Sequence, residues 1–361
     1  MARDGSTTGD VRPAIAGDPA TGDRSSGDAD ASLEPALGPR SAARDPAPAV
    51  SGDSRPLAVL ALVGAVGLAA SQDAIVKSMS GGYPVHEMLF FRCIVSLPVI
   101  LVILVAKGWL AGLLTRHVGR ALMRALLLCT GYCSFTLAIA AMPMADVVAM
   151  YFTMPFFVAA LAGPLLGERV PPHRWLAILG GFLGVLVMIR PGIGVTEPAA
   201  FLGLLSAAAY GLGQMMGRPL ARRVEPMVMV FYQNLTYLTV AFVLAALFAH
   251  GEVAEGTHRS IAFLTRQWVW PHEGDWPYLL VLGLLATFSM ILFTTAYRLA
   301  EASFVAPFEY TAMFWAVGYG LVLWGDVPGL YTVLGGGLVV GAGLFMLWRD
   351  RVPAPARKGA A

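Results

Sequence analysis

Arg92, Asp73, Lys77 and Glu309 are charged side chains set inside long apolar runs. Such a side chain at the centre of a bilayer helix costs about 2.5–3.5 kcal/mol on insertion scales, so each needs a partner, a wet cavity or a nearby interface. Arg92 falls about seven residues into its run, roughly 10 Å from the end at 1.5 Å per residue, which is far for snorkelling. Its guanidinium suits a bidentate pair with the carboxylate of a substrate or a gate; the alternative is a structural ion pair with Asp73 or Glu87. Asp73 and Lys77 are four residues apart and share one helix face. Either they pair in the headgroup region, or Asp73 serves as an outer-gate or proton-linked carboxylate. Glu309 lies about six residues into its run, roughly 9 Å deep. It could contact a cationic group of a substrate or carry a coupling proton; the alternative is a hydrogen-bonded structural carboxylate. Gln72, Gln214, Gln233 and Asn234 add amides, which line a cavity or join helices. Tyr151, Tyr210, Tyr310 and Trp315 either stack on a planar substrate or pack between helices.

The composition says what must surround these groups. Of 361 residues 57% are hydrophobic and only 13% charged, and mean hydropathy is +0.66. A water-soluble core of this length could not hide so much apolar surface, whereas a bilayer accepts it. A net charge of +2 offers nothing to a polyanion, so no nucleic-acid partner is expected. Cys93, Cys129 and Cys133 sit in apolar stretches and read as small buried hydrophobes. The six histidines lie in loops or at run ends without metal spacing. No nucleophile elbow, zinc-protease motif or P-loop occurs, which weighs against a membrane-embedded enzyme and leaves no cofactor or metal expected. No filter candidate for a channel is visible either.

Apolar runs long enough to cross a bilayer recur near 57–77, 85–106, 121–141, 145–166, 173–190, 198–217, 226–249, 277–299, 303–324 and 328–348. Residues 1–55 are rich in Ala, Asp, Gly, Pro, Ser and Arg, lack aromatics, and read as a disordered cytoplasmic tail. Residues 351–361 read as a second tail. Threading ten spans puts seventeen Lys and Arg on one side and four (Lys77, Arg190, Arg259 and Arg266) on the other. The basic side is the cytoplasmic one, so both termini are expected there.

The two halves resemble each other. Gln72 aligns with Gln214, Pro84 with Pro226 and Arg92 with Asn234. Farther on, Phe135-Thr136 aligns with Phe293-Thr294, Tyr151 with Glu309, and Gly167-Glu168 with Gly325-Asp326. Each half has an odd number of spans, so the second must be inverted relative to the first. The expected fold is therefore an all-α membrane protein of ten transmembrane helices, arranged as two inverted five-helix repeats over 56–192 and 197–350. Inverted repeats are a recurring plan of secondary transporters, with the substrate near the midplane.

These residues carry a family resemblance. Pro155 through Gly167-Glu168, then Trp175, Gly180 and Gly184, together with Arg92 and Arg190-Pro191-Gly192, resemble the first repeat of EamA-type members of the drug/metabolite transporter superfamily. Pro307-Phe308-Glu309-Tyr310, Gly325-Asp326 and glycines 335–337 resemble the second. Met313 departs from the repeat mate of Pro155, and Asp326 stands where the family more often has Glu. The resemblance covers about 57–350. It implies a bacterial inner-membrane transporter of a small polar metabolite such as an amino acid, nucleoside or vitamin. The combination of Asp73, Lys77, Arg92 and Pro307–Tyr310 looks like the branch with S-adenosylmethionine and riboflavin importers; an exporter of the same fold is the alternative. The expected partners are a small-molecule substrate, the lipid bilayer and, through small-residue spacings such as Gly180…Gly184 and Gly337…Gly341, a second copy in a homodimer.

Overall fold

The computed structural model describes residues 55–166, 171–190, 197–221, 223–300 and 302–351. The expected tails, Gly167-Glu168 and Pro191-Gly192 lie outside the described residues, apart from Arg55 and Arg351. The helices are α1 (Arg55–Met79), α2 (Val85–Ala106), α3 (Val118–Ala141), α4 (Met144–Tyr151), α5 (Met154–Leu166), α6 (Pro172–Ile189), α7 (Ala199–Leu220), α8 (Pro226–Leu247), α9 (Arg259–Thr265), α10 (Trp276–Leu299), α11 (Ala302–Val305), α12 (Thr311–Tyr319) and α13 (Leu330–Arg351). Among the described residues nine helical runs are long and apolar enough to cross a membrane. Only helices or closed barrels satisfy their backbone polar groups in lipid, so apolar sequence of this length becomes helix.

Proline and glycine set the boundaries. Met142 ends α3 in extended conformation (φ −121°, ψ 159°), as the residue before Pro143 must leave the helical region. Pro172 and Pro226 occupy first-turn positions, where a missing N–H costs nothing. Gly108 and Gly325 take positive φ (68° each) and turn the chain after a helix.

Two regions expected as single spans are broken. The run expected over 145–166 splits into α4 and α5 at Phe152-Thr153, just before Pro155. The ring and missing N–H of Pro155 disrupt the preceding turn; Thr153 Oγ1 donates to the Met150 carbonyl at 2.6 Å and satisfies one freed acceptor. The stretch expected over 303–324 is α11, a 3-10 segment at Ala306–Tyr310 that contains Pro307, then α12 and a π-helical turn at Gly320–Trp324.

The heaviest packing joins α1 with α10, α3 with α7, α6 with α13 and α2 with α8, followed by α2 with α10 and α3 with α8. Leu176, Leu179, Leu183 and Leu186 of α6 point outward and are each more than half exposed. In water that stripe would be a liability, but in a bilayer it is the required surface. The chain is a multi-pass membrane protein. At the crossing of α6 and α13 two backbones nearly touch: a Cβ on Gly184 would sit 2.6 Å from the Gly335 carbonyl oxygen, and one on Gly335 2.4 Å from that of Gly184. Gly180 and Gly184, flagged in the sequence, thus pack α6 on α13 within the chain, whereas Gly337 and Gly341 face open space. Gly184→Val is expected to lower the thermal unfolding midpoint in detergent, since overpacking costs about 1–3 kcal/mol; an unchanged midpoint would contradict this crossing.

Candidate functional site

A cavity of about 680 Å³ lies between the helices. Seven of the ten residues singled out in the sequence line it: Gln72 and Asp73 from α1, Arg92 from α2, Tyr151 from α4, Tyr210 and Gln214 from α7, and Glu309 from the 3-10 segment. Five elements distant in sequence therefore converge on one space. The other three lie elsewhere. Asn234 lines a narrow cleft of about 20 Å³ beyond the chamber, with Arg92, Ser96 and Thr287, and its amide donates to the Val230 carbonyl one turn back. Tyr310 packs on Phe152, ring centroids 4.7 Å apart. Trp315 lies against Gly67 and stacks on Tyr319, with 39% of its surface exposed.

The cavity runs toward one end of the bundle. Its lining reaches Trp109 beyond α2, Glu225 and Pro226 at the start of α8, and Arg298 in the last turn of α10. This is the end that carries most of the basic residues. The opposite end is held shut. Lys77 Nζ meets Asp326 Oδ2 at 3.1 Å, donates to the Met142 carbonyl at 3.0 Å, and sits 4.7 Å above the Trp324 ring. Lys77 thus pairs across the fold and leaves its helix neighbour Asp73 to the cavity. The Tyr83 hydroxyl donates to Asp275 Oδ2 at 2.5 Å and accepts from the His272 N–H at 3.1 Å. Burial and that carboxylate raise the pKa of the Tyr83 phenol. Arg266 reaches the Ser80 carbonyl at 3.0 Å, and Glu87 Oε2 accepts from the Val269 N–H at 3.1 Å. The Trp-bearing segment 266–276 therefore lies over the ends of α1 and α2.

Arg92 makes neither structural ion pair considered above. Its guanidinium carbon lies 4.4 Å from the Tyr132 ring centroid and 5.3 Å from that of Tyr237. Its Nε and Nη1 are sealed from solvent without a hydrogen-bond partner. Asp73 acts on it electrostatically but does not pair with it. Glu309 accepts a hydrogen bond from the Tyr297 hydroxyl, so its structural reading is met in part while it still faces the cavity. Tyr151 and Tyr210 meet edge to face at 5.4 Å, and Phe135 and Tyr151 at 5.7 Å, which gives one wall of rings. Gly131 makes room for that wall: a Cβ there would sit 2.8 Å from Tyr210 Cδ2.

Sequence reading missed Arg124, Tyr132 and Tyr297. Arg124 was counted with the basic flank, yet it lines the cavity and its Nη1 reaches Gln233 Oε1 at 3.4 Å. The run expected to start at 121 left Arg124 near its edge; α3 starts at Val118 and sets it six residues inside. Among the described residues no cluster of His, Cys, Asp and Glu could hold a metal.

Comparison with known proteins agrees with this architecture. The pattern of the EamA-like transporter family matches residues 56–190 and again 197–348. The chain is 31% identical to a riboflavin transporter of Rhizobium johnstonii, over 68% of this chain and 76% of that protein. It is 28% identical to the pseudopaline exporter of Pseudomonas aeruginosa, over 74% and 88% of the two chains. To an S-adenosylmethionine uptake transporter of Rickettsia prowazekii it is 23% identical, over 77% and 88% of the two chains.

 A crystal structure of another chain, matched over its whole length and 82% of this one at a TM-score of 0.54 and 19% identity, shares the fold. With a family pattern that matches twice in succession and together spans most of the described helices, and with a polar cavity between them, the chain belongs to the EamA-like transporter family.

Proposed function

We propose that this protein is a secondary transporter that carries a small polar metabolite across a bacterial inner membrane by alternating access. The observation that carries the reading is the cavity, which runs to the basic end of the bundle and stops short of a tied opposite end. With the basic end cytoplasmic, both termini are cytoplasmic and the structure is in an inward-open state. The substrate-facing residues are Gln72, Asp73, Arg92, Tyr151, Tyr210, Gln214 and Glu309.

Several features support ten crossings in two inverted repeats, over 56–192 and 197–350. The broken stretch 302–324 supplies the tenth crossing. When the spans are numbered in order and each is exchanged with the one five places on, the α1–α10 contact becomes the α7–α3 contact. The α2–α10 contact becomes α8–α3, while α2–α8 and α6–α13 map onto themselves. The breaks obey the same relation. Thr153 Oγ1 donates to Met150 and Thr311 Oγ1 to Phe308, at 2.6 and 2.7 Å, and both residues pair at the offset that relates Tyr151 to Glu309. Two such halves can exchange conformations, which makes outward-open and inward-open states close in energy.

The relatives' names favour a flavin-like or other ring-bearing metabolite, with uptake and export both represented among them. Gly180…Gly184 is used within the chain, so a homodimer would need another face, such as the open one at Gly337 and Gly341. Uptake of labelled riboflavin and S-adenosylmethionine into proteoliposomes, with and without an imposed pH gradient, tests the reading; uptake equal to protein-free vesicles for every solute would contradict it. In the same assay Glu309→Gln is expected to remove the pH dependence of uptake. Rates that follow the unsubstituted chain at every pH would leave Glu309 a structural acceptor for Tyr297.

A further inference from the structure

Three guanidiniums line the cavity: Arg298 lies at the mouth in the last turn of α10, and the two set farther in, Arg92 and Arg124, have no counter-ion among the described residues. Arg92 Nε and Nη1 and Arg124 Nε are shielded from water and lack an acceptor. The two are physically linked. Arg124 Nη1 reaches Gln233 Oε1 at 3.4 Å, Gln233 Nε2 reaches the Tyr237 hydroxyl at 3.3 Å, and the Tyr237 ring lies 5.3 Å from the Arg92 guanidinium carbon. Arg124, six residues into α3 from the basic end, is the nearer to the opening, and Arg92 is deeper.

The acidic groups of the cavity do not neutralise this pair. Glu309 is engaged by Tyr297, Asp73 acts on Arg92 only through space, and Glu225, at the mouth, forms no ion pair with Arg92 or Arg124. What Arg92 has instead is ring faces. A cation over an aromatic ring gains about 0.5–2 kcal/mol, and the contact leaves the in-plane N–H groups unmet. Those N–H groups are the ones that bind carboxylate or phosphate in bidentate fashion. Across the same space the Phe135–Tyr151–Tyr210 wall offers flat apolar surface.

We propose that the substrate is an organic anion, a carboxylate or phosphate borne on a flat ring system, with Arg124 as the first and Arg92 as the deeper anchor of its charge. The inference rests on the transport reading and names the chemistry of that same cavity. Asp73 is then an internal competitor: removing its charge strengthens the hold of Arg92 on an anion.

The test uses the full chain in nanodiscs and a series in which the ring is constant and the charge varies: naphthoate, naphthyl phosphate, naphthylmethanol and naphthylmethylamine. The two anions are expected to bind at least about tenfold more tightly than the alcohol, equivalent to about 1.4 kcal/mol, and the amine most weakly. Arg92→Gln and Arg124→Gln should each remove about tenfold of the anion affinity, and Asp73→Asn should raise it, which a purely structural role would not produce. Which anion binds more tightly assigns carboxylate or phosphate. Alcohol or amine binding as tight as the anions, anion affinity that survives the double arginine substitution, or no binding by any member would each overturn the proposal. Preference for the amine would leave transport itself standing, whereas the transport reading fails only in the separate uptake assay.

Discussion

Joining positions 77 and 326 with a short thiol crosslinker, in a chain carrying Lys77→Cys and Asp326→Cys, is expected to stop transport while leaving ligand binding from the open end intact. Lys77 ties the end of α1 to the end of α3 through the Met142 carbonyl, and to the segment after α12 through Asp326. These contacts lie at the closed end, with the Lys77 side chain 12% exposed and that of Asp326 31% exposed. Alternating access requires that end to open once per cycle, so a covalent tie across it holds the protein in one state. Without the crosslinker the double variant should still transport. Replacing both members of the pair leaves no uncompensated charge behind, so its loss shifts the balance between states without abolishing either. The natural thiols are shielded: Cys93 and Cys129 are buried and Cys133 partly so. The unsubstituted chain treated with the same reagent controls for them. A crosslinked chain that transports at the uncrosslinked rate would mean that this end does not open.

Arg92→Gln is expected to cut transport by about 10–100-fold while leaving the fold as stable as before. Hydrogen bonds to a charged group contribute about 1.5–3 kcal/mol, and each 1.4 kcal/mol is tenfold. The stability half of the prediction separates function from structure. Removing one member of a buried ion pair costs about 3–5 kcal/mol because the other is left uncompensated. Arg92 leaves no such orphan, since it pairs with neither Asp73 nor Glu87. Its replacement by a neutral amide forfeits the ring contacts, about 0.5–2 kcal/mol, but removes a buried charge with unmet N–H groups, so the unfolding midpoint in detergent should change little. Arg92→Lys should fall with the glutamine variant, since an ammonium lacks the planar fork. A large loss of stability with full transport in the folded fraction would make Arg92 a structural residue.

Both predictions depend on distances that no linear reading supplies. The sequence determined the elements: apolar runs of bilayer length become helices because lipid offers their backbone no other partner. Proline and glycine fixed where most of them end, as at Met142-Pro143 and Gly325. It also exposed Gln72, Asp73, Arg92 and Glu309 as groups that apolar surroundings must accommodate, and all four face the cavity. Tertiary structure decided which neighbour each one meets. Helix periodicity places Asp73 and Lys77 on one face, but it cannot weigh that pair against Asp326, which is 249 residues away from Lys77 and lies 3.1 Å from it once folded. Nor could it separate Arg124 from the basic flank, or Trp315 from the cavity wall. A helix presents every side of itself to a different environment, and the direction of the cavity is fixed only when all the helices have packed.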